Sequence, residues 1–209
     1  MYETFLTVGD NPAQVLYTAD LDGGGTWFGQ DYIEVIKSRY PSRTFPRCYE
    51  WCSGPGFIGY AILANGLSES ICFTDIHDPA ILATEQSARA NGWENKVTSY
   101  LLKDLALLPS YEQFDLIVSN PPHFQKTVSY DSNRNRLCTD LNWQAHENFY
   151  KNIKQHLTTN GVILIQENIK QSTVDDFKNF IDSAGLEITD SFPSQNFENI
   201  YYIEVQHKK

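Results

Sequence analysis

Residues 49–61, YEWCSGPGFIGYA, decide the predicted fold, because they join a strand pattern to a helix pattern through a turn rich in glycine. Gly54, Gly56 and Gly59 have the spacing G-x-G-x-x-G. Glycines in such a turn let the backbone approach a ligand closely, at the N-terminus of a helix and the carboxyl edge of a parallel sheet. The stretch therefore predicts a site for a cofactor that carries a nucleoside.

From residue 47 onward the chain alternates between strand and helix patterns. The strand patterns are RCYEW, SICFTD, KVTSYLL, FDLIVS and GVILIQE, and helix patterns such as PAILATEQSARANG lie between most of them. The last two strand patterns, LEITDSF and NIYYIEVQ, follow each other without a helix. This order predicts an α/β fold with a doubly wound, mostly parallel seven-stranded sheet and an antiparallel strand near the C-terminus.

The first 46 residues show no strand pattern. They contain the glycine-rich DLDGGGTWFGQ at residues 20–30, followed by a short helix pattern, DYIEVIKSRY. We expect residues 1–46 to be an irregular N-terminal arm, in which residues 20–30 form either a lid or a surface loop. Residues 47–209 are expected to form the catalytic domain, since the length suits one α/β domain.

Composition excludes several classes of protein. The chain has a formal net charge of −10, and an acidic protein repels phosphate backbones, so tight non-specific binding of nucleic acid is disfavoured. The four cysteines show neither a CxxC pair nor metal-ligand spacing, so we expect no disulfide and no metal. Neither a signal peptide nor an apolar stretch of about 18 residues is present, which predicts a cytoplasmic protein without a membrane anchor.

Three acidic residues help to choose the cofactor. Glu50 precedes the glycine turn, where a carboxylate suits an ammonium group and would repel a pyrophosphate. Asp75 ends the second predicted strand, where it can accept hydrogen bonds from ribose hydroxyls. Asp104 follows the third strand and can accept a hydrogen bond from the exocyclic amine of adenine. Asp75 suits either nucleoside cofactor, whereas Glu50, and Asp104 together with the Asn-Pro-Pro element at the next strand end, favour S-adenosylmethionine over NAD.

Four motifs carry a resemblance to a known superfamily. EWCSGPGFIG, FTDIHDP, LLKDLALLP and FDLIVSNPPHF resemble, in order and spacing, the consecutive motifs of class I S-adenosylmethionine-dependent methyltransferases, over about residues 47–206. The resemblance implies the Rossmann-like methyltransferase fold. DLIVSNPP is most similar to enzymes that methylate nitrogen, which include the HemK-type protein glutamine methyltransferases and the exocyclic-amine methyltransferases of DNA and RNA.

The resemblance also implies cofactor contacts by position. Glu50, Gly54 and Gly56 would hold the methionine part, Asp75 the ribose and Asp104 the adenine amine. Cys52 stands where the family usually has glycine. The full set of residues that the resemblance places around the cofactor is Phe28, Glu50, Cys52, Gly54, Gly56, Asp75, Ile76, Asp104, Leu105 and Asn120.

The Asn-Pro-Pro element predicts the chemistry. The nitrogen of an amide or aromatic amine is a poor nucleophile, because its lone pair is delocalised. The side-chain oxygen of Asn120 and the carbonyl of Pro121 could accept its two N–H groups and aim the lone pair at the methyl group. His123 stands where the resembled enzymes usually have tyrosine or phenylalanine, so we expect it to contact the substrate beside Pro122, by stacking, by hydrogen bonding or as a base.

Other substrate contacts are predicted at Tyr130 and Arg134, in a polar segment after the Asn-Pro-Pro element, and at His146 on the following helix. The predicted function is methyl transfer to a planar or weakly nucleophilic nitrogen, as a side-chain amide of a peptide or protein or as a small-molecule amine. A nucleobase amine is an alternative that the charge disfavours. An NAD-dependent oxidoreductase with the same glycine spacing and a non-catalytic cofactor-binding domain are two further alternatives.

Overall fold

The computed structural model describes residues 1–9, 11–22, 25–126 and 136–209. The strands, numbered along the chain, are β1 (Glu3–Leu6), β2 (Gln14–Tyr17), β3 (Phe45–Trp51), β4 (Ser68–Asp75), β5 (Val97–Leu101), β6 (Phe114–Ser119), β7 (Leu157–Asn168), β8 (Leu186–Pro193) and β9 (Ile200–His207). The α-helices that lie within these residues are α1 (Gly25–Arg39), α2 (Phe57–Ala64), α3 (Asp78–Ala90), α4 (Gln144–Ile153) and α5 (Val174–Ser183).

Strands β3 to β9 form a seven-stranded sheet in the order β5-β4-β3-β6-β7-β9-β8. The pairs β3–β4, β4–β5 and β6–β7 are parallel, whereas β9 is antiparallel to both β7 and β8. The predicted fold class, a mostly parallel doubly wound sheet with an antiparallel strand near the C-terminus, is therefore confirmed. The chain divides into two compact units, a first unit (Met1–Lys103) and a second unit (Asp104–Lys209).

The first unit begins with an antiparallel pair of short strands. Strands β1 and β2 pair from Glu3↔Tyr17 to Leu6↔Gln14. Side chains at the end of α3 bind the edge of β2: Ser87 of the helix accepts from the Leu16 N–H at 2.8 Å, and Asn91, which follows the helix, accepts from the Gln14 N–H at 2.9 Å. The expectation that residues 1–46 are irregular is thus wrong. Four-residue strands give little alternation in sequence, and α3, which lies far along the chain, stabilises this pair.

Helix α1 starts earlier than predicted. It begins at Gly25, so residues 25–30 of the predicted lid or loop are helical. Gly29 lies against α2, where a side-chain Cβ would come within 3.0 Å of the Ala61 Cβ and 3.1 Å of the Phe57 carbonyl oxygen. The close approach of the two helices therefore requires the missing side chain at Gly29.

The second unit has its apolar core between the strands and two helices. Strands β6 and β7 contribute runs that are fully buried, as the patterns FDLIVS and GVILIQE predict. Helix α4 buries Phe149, Tyr150 and Ile153, and α5 buries Phe177 and Ile181. The carboxyl ends of the parallel strands β6 and β7 meet at one edge of the sheet, so polar side chains that follow them can meet there. No helix in the described part of the chain is long and apolar enough to cross a membrane.

Candidate functional site

The glycine turn has a backbone that ordinary residues rarely adopt. Cys52, Gly54 and Gly56 all have positive φ values, of 52°, 51° and 89°. At Gly56, which precedes α2, a Cβ would lie 2.8 Å from the Phe73 ring and 3.0 Å from the Tyr60 ring. The turn therefore needs glycine for both its conformation and its packing. The positive φ at Cys52 also gives a physical reason for the glycine that the resembled family usually has there.

Asp75 is fixed beside this turn, at the end of β4. Its Oδ2 accepts from the Gly54 N–H at 2.8 Å, and its Oδ1 accepts from the His77 N–H at 2.9 Å. The next residue, Ile76, is 59% exposed although its side chain is apolar. A fixed carboxylate followed by an exposed apolar side chain fits a ribose and the face of a planar base, so the residues present suit a nucleoside.

Glu50 is buried and caps α2. Only 2% of the residue is exposed, and its Oε2 accepts from the Gly59 N–H at 2.7 Å. Burial raises the pKa of Glu50 well above its usual range, and the hydrogen bonds from the first turn of α2 offset this only in part. A Cβ on Gly59 would lie 2.7 Å from that Oε2, which explains the third glycine of the motif. The predicted contact of Glu50 with a cofactor ammonium stays a prediction.

Phe28 lies in the first half of α1 and is partly exposed. The helix that carries it packs on α2, the helix that follows the glycine turn. Its predicted position over the methionine part of the cofactor stays a prediction.

In the second unit, Asn148 of α4 fixes the turn that holds Asp104 and Leu105. The Oδ1 of Asp104 accepts from the Asn148 amide at 2.8 Å and from the Ala106 N–H at 2.9 Å. The Asn148 Oδ1 accepts from the Leu105 N–H at 3.0 Å. These bonds, that of Asn148 above all, lower the pKa of Asp104 and favour the carboxylate that an adenine amine would need as an acceptor.

The Asn-Pro-Pro element follows β6 directly. The His123 Nε2 lies 2.6 Å from the Asn120 Oδ1, and the His123 Nδ1 lies 3.4 Å from the Glu167 Oε2. The His123 side chain is 14% exposed. Pro121 is buried and Pro122 is partly exposed. The element therefore places an amide, a proline carbonyl and an imidazole within four residues of a buried strand end.

Behind His123 lies a cluster of buried polar side chains, which we call the acid–histidine cluster: Asp140, His146, Glu167 and Ser172. His146 has its Nδ1 2.6 Å from the Asp140 Oδ2 and its Nε2 2.8 Å from the Glu167 Oε1. The Ser172 hydroxyl donates to the Glu167 Oε2 at 3.1 Å. Asp140 also accepts from the backbone N–H groups of Ala145 and His146, at 2.8 and 3.1 Å.

The charges of the cluster shift two pKa values in opposite directions. Burial alone would lower the pKa of His146, but the carboxylates of Glu167 and Asp140 outweigh it and raise the pKa to about 9. Burial alone would raise the pKa of Glu167, but His146 and His123 outweigh it and hold the pKa at about 2. A buried ion pair is therefore present at neutral pH.

The structure thus brings together only some of the predicted substrate residues. His146 is fully buried, its ring stacks on Phe177 at 4.6 Å between centroids, and both of its nitrogens bind carboxylates. Neither ring nitrogen of His146 is therefore available for the predicted contact with substrate. Tyr130 and Arg134 lie outside the described residues, so their predicted substrate contacts stay predictions.

Sequence reasoning missed four residues of this region: Asp140, Asn148, Glu167 and Ser172. One signal was available for Glu167, because it ends the apolar strand pattern GVILIQE as Asp75 ends SICFTD. No local pattern marks Asn148, since its partners Asp104 and Leu105 lie 44 and 43 residues away.

Comparisons with known proteins agree with this architecture. The Methyltransferase small domain family matches residues 38–184. A tRNA1(Val) (adenine(37)-N6)-methyltransferase from Glaesserella parasuis serovar 5 (strain SH0165) is 28% identical over 111 residues, which are 53% of this chain and 46% of that protein. The alignment thus spans less than half the length of that relative.

Solved structures show the same fold. The ribosomal protein L11 methylase from Lactobacillus delbrueckii subsp. bulgaricus has a TM-score of 0.63 at 16% identity, over 90% of this chain and 83% of that one. A proposed methyltransferase solved with S-adenosylhomocysteine has a TM-score of 0.64 at 14% identity, over 97% of this chain and 56% of that one.

The family match decides between the two cofactors that the glycine spacing alone leaves open. It covers the glycine turn, Asp75, Asp104 and the Asn-Pro-Pro element in one continuous range. The alternatives of an NAD-dependent oxidoreductase and of a non-catalytic domain are therefore set aside. The chain therefore belongs to the Methyltransferase small domain family.

Proposed function

We propose that this enzyme transfers the methyl group to the nitrogen of a conjugated –NH2 group, such as an amide or an aromatic amine. The observation that carries the proposal is the end of β6, where the Asn120 amide is held by His123 at 2.6 Å and is followed by two prolines. Two acceptors on such a rigid element suit the two hydrogens of a planar amine. The prolines cannot continue the strand, so the Pro121 carbonyl is available to the site.

The residues of the first unit that would hold the cofactor are those that the resemblance implies. Gly54 and Gly56 would lie along the methionine part, with Glu50 near its ammonium group and Asp75 on the ribose hydroxyls. Ile76 would cover one face of the adenine. When bound, S-adenosylmethionine supplies an activated methyl group, so that the protein needs no covalent intermediate of its own.

In the second unit, Asp104 would accept the adenine amine and Asn120 would act on the substrate. The Asn120 oxygen and the Pro121 carbonyl accept the hydrogens of the target nitrogen and reduce the conjugation of its lone pair. Both are fixed before the reaction, so little reorganisation accompanies the transfer. Pro122 and His123 line the position that the planar group of the substrate would take.

Two classes of acceptor have support. The similarity of DLIVSNPP to HemK-type enzymes favours the side-chain amide of a peptide or protein. The relative that methylates adenine N6 of a tRNA favours an exocyclic base amine, although a net charge of −10 opposes binding to a phosphate backbone. Both classes present a conjugated –NH2 group to Asn120, and a small-molecule amine of the same kind would do so too.

The proposal can be tested with labelled S-adenosylmethionine. Purified protein is incubated with unmodified tRNA, with glutamine-containing peptides and with small aromatic amines and amides. The methylated atom of any product is then identified by NMR. We expect methyl transfer to nitrogen in one of the three classes. Transfer to oxygen or carbon alone, or to none of them, would overturn the proposal.

Asn120→Ala sharpens this test. Removal of a fixed hydrogen-bonding group at a reacting centre lowers rates by about 10²–10³-fold. We expect this loss in methyl transfer, with an unchanged affinity for S-adenosylhomocysteine by calorimetry. Asn152→Ala is the matched control, because within the described part of the chain the Asn152 amide donates to the backbone of its own helix, at 2.9 Å from the Asn148 carbonyl. An equal loss of rate and of cofactor affinity in Asn120→Ala would contradict the assigned role.

A further inference from the structure

The acid–histidine cluster is unusual because it places charged groups where water cannot reach them. Asp140 is 4% exposed, and His146 and Glu167 are fully buried. Burial of ions is costly, and a buried ion pair is often no more stabilising than apolar side chains of the same volume. Stability alone is therefore a weak reason for the cluster.

Another buried histidine of the same unit shows that the fold does not need such charges. His156 is also fully buried, and its Nδ1 lies 2.8 Å from the Glu112 carbonyl oxygen. Its Nε2 lies 3.3 Å from the Gln155 amide. These neutral partners satisfy both ring nitrogens without a carboxylate. The two carboxylates around His146 thus call for a different explanation.

The contacts of the cluster fix its hydrogens. A carboxylate oxygen only accepts hydrogen bonds, so a nitrogen that binds one must donate. Both nitrogens of His146 bind carboxylates, at 2.6 and 2.8 Å, and the ring is therefore a cation. One positive ring between two carboxylates leaves the cluster with a net negative charge, on the side of Glu167 that faces His123.

The same rule favours one tautomer of His123. Its Nδ1 faces the Glu167 Oε2 at 3.4 Å, where a hydrogen on this nitrogen would point at the carboxylate. The Nε2 is then the nitrogen that can gain or lose a proton, and it is the one that lies at Asn120. That nitrogen lies 2.6 Å from the Asn120 oxygen, so Asn120 would hold the hydrogen that Nε2 receives.

We propose that His123 accepts the proton that the target nitrogen loses on methylation, and that Glu167, held by His146 and Asp140, is the residue that positions and charges His123 for this task. The proposal rests on the proposed function, because it requires an acceptor that carries an N–H group. It extends that function to three residues that contact neither substrate nor cofactor. Glu167, His146 and Asp140 are positioning residues in this scheme.

The target nitrogen forms a bond to the methyl carbon as the carbon–sulfur bond of the donor breaks, and that electron pair stays on sulfur. The nitrogen keeps the electrons of its lost N–H bond. The proton bonds to the Nε2 lone pair of His123, the ring becomes a cation against the Glu167 carboxylate, and the proton then leaves to water.

Other ionisable groups near the cluster do not replace this carboxylate. Tyr201 of β9 faces Ser172 at 3.3 Å between hydroxyl oxygens, and Tyr150 of α4 lies near Glu167. Burial first, and then the charge of Glu167, raises the pKa of both phenols, so both are neutral near pH 7. Among the described residues, the ring nitrogens that contact Glu167 are those of His123 and His146. This matches the arrangement of an acid that orients a catalytic imidazole.

The first experiment needs no substrate. Histidine side chains of the protein are labelled with ¹⁵N, and the His123 signals are assigned by their loss in His123→Gln. In wild type we expect the neutral ring of His123 to carry its hydrogen on Nδ1. In Glu167→Gln, which keeps the shape of the side chain but removes its charge, this preference should be lost. A wild-type ring with its hydrogen on Nε2 would overturn the proposal.

The second experiment measures methyl transfer to whichever N–H acceptor the wild-type enzyme uses. We expect His123→Ala to lower the rate by about 10²-fold, as for loss of a general base, and added imidazole to restore part of it. Glu167→Gln should lower the rate by about 10-fold or more, because the tautomer is no longer fixed. Affinity for S-adenosylhomocysteine should be unchanged in both variants.

The matched control is Glu204→Gln, which removes a buried carboxylate from the neighbouring strand β9, where it accepts from Thr189 at 2.8 Å. It should leave the rate and the His123 tautomer as in wild type. If Glu167→Gln does not fold, two measurements still test the proposal. They are the rescue of His123→Ala by imidazole and the tautomer of His123 in the wild-type protein. A wild-type rate in His123→Ala would refute this inference alone, whereas a wild-type enzyme that methylates no nitrogen would remove the proposed function and the inference together.

Discussion

The glycine turn of the first unit and the acid–histidine cluster of the second unit are built in opposite ways. The turn is made of backbone, with three residues at positive φ and contacts that join residues 9 to 21 positions apart. The cluster is made of side chains, and it joins His123 to Glu167 across 44 positions. A site built from backbone leaves a motif in the sequence, whereas a site built from distant side chains does not.

The two regions should also fail in different ways. The turn is sensitive to added atoms, because Gly56 and Gly59 have neighbours within 3 Å of where a Cβ would lie. The cluster is sensitive to charge, because each of its buried ions is stabilised by a neighbouring ion of opposite charge. Changes of volume should therefore damage the first region, and changes of charge or pH the second.

The largest effect is expected from His146→Leu. The change removes the cation between Asp140 and Glu167 and leaves two buried carboxylates without it. Loss of one partner from a buried ion pair costs about 3–5 kcal/mol. We expect the free energy of unfolding, measured with urea, to fall by about this amount.

His156→Leu is the matched control for that prediction. It also removes a fully buried histidine from the second unit, but one whose partners are a carbonyl and an amide. The expected cost is about 1–3 kcal/mol, that of unsatisfied neutral groups. Equal losses in the two variants would show that the charges of the cluster are unimportant for stability.

The second prediction concerns pH. The pKa of His146 is about 9 in the folded protein against an ordinary 6.5, so its contribution is complete below pH 6.5 and is lost as the pH rises through 9. The pKa of Glu167 is about 2 against 4.5, so its contribution is complete above pH 4.5 and is lost as the pH falls through 2. Each group can change stability by at most about 1.4 kcal/mol per pH unit.

We therefore expect unfolding free energies measured across pH to fall on both sides of the range from 4.5 to 6.5. The alkaline decline should be reduced in His146→Leu, since that variant has no ring to deprotonate. An alkaline decline of the same slope in the variant would mean that another group is responsible.

These contrasts explain what could be predicted from the sequence. The succession of strands and helices from residue 47 onward, the glycine turn and the Asn-Pro-Pro element follow from local patterns, because period, turn residues and prolines act over a few positions. His146 was predicted to meet substrate because it lies on the helix that follows Asn-Pro-Pro, but helical spacing alone cannot show that carboxylates occupy both its nitrogens. The pair of strands β1 and β2 was missed because side chains of α3 complete it.

The third prediction tests the packing of the turn. Gly56→Ala should destabilise the protein by about 2–3 kcal/mol, because the new Cβ adds contacts of 2.8 and 3.0 Å to a left-handed backbone. Gly66→Ala is the control, since Gly66 has a φ of 65° with nothing within 4 Å of the Cβ position, and should cost about 1 kcal/mol. Thermal unfolding would measure both, and equal shifts would show that backbone conformation alone decides.

The smallest effect is expected from Cys52→Gly. Cys52 has a φ of 52°, which costs an ordinary residue about 1 kcal/mol, and glycine avoids this cost. Glycine also loses more backbone entropy on folding, which offsets about 0.5–1 kcal/mol of that gain. The net change in unfolding free energy should therefore be a stabilisation of less than about 1 kcal/mol. Cys52→Ala keeps the Cβ and should give no such gain, so an equal gain in both variants would trace the effect to the lost thiol.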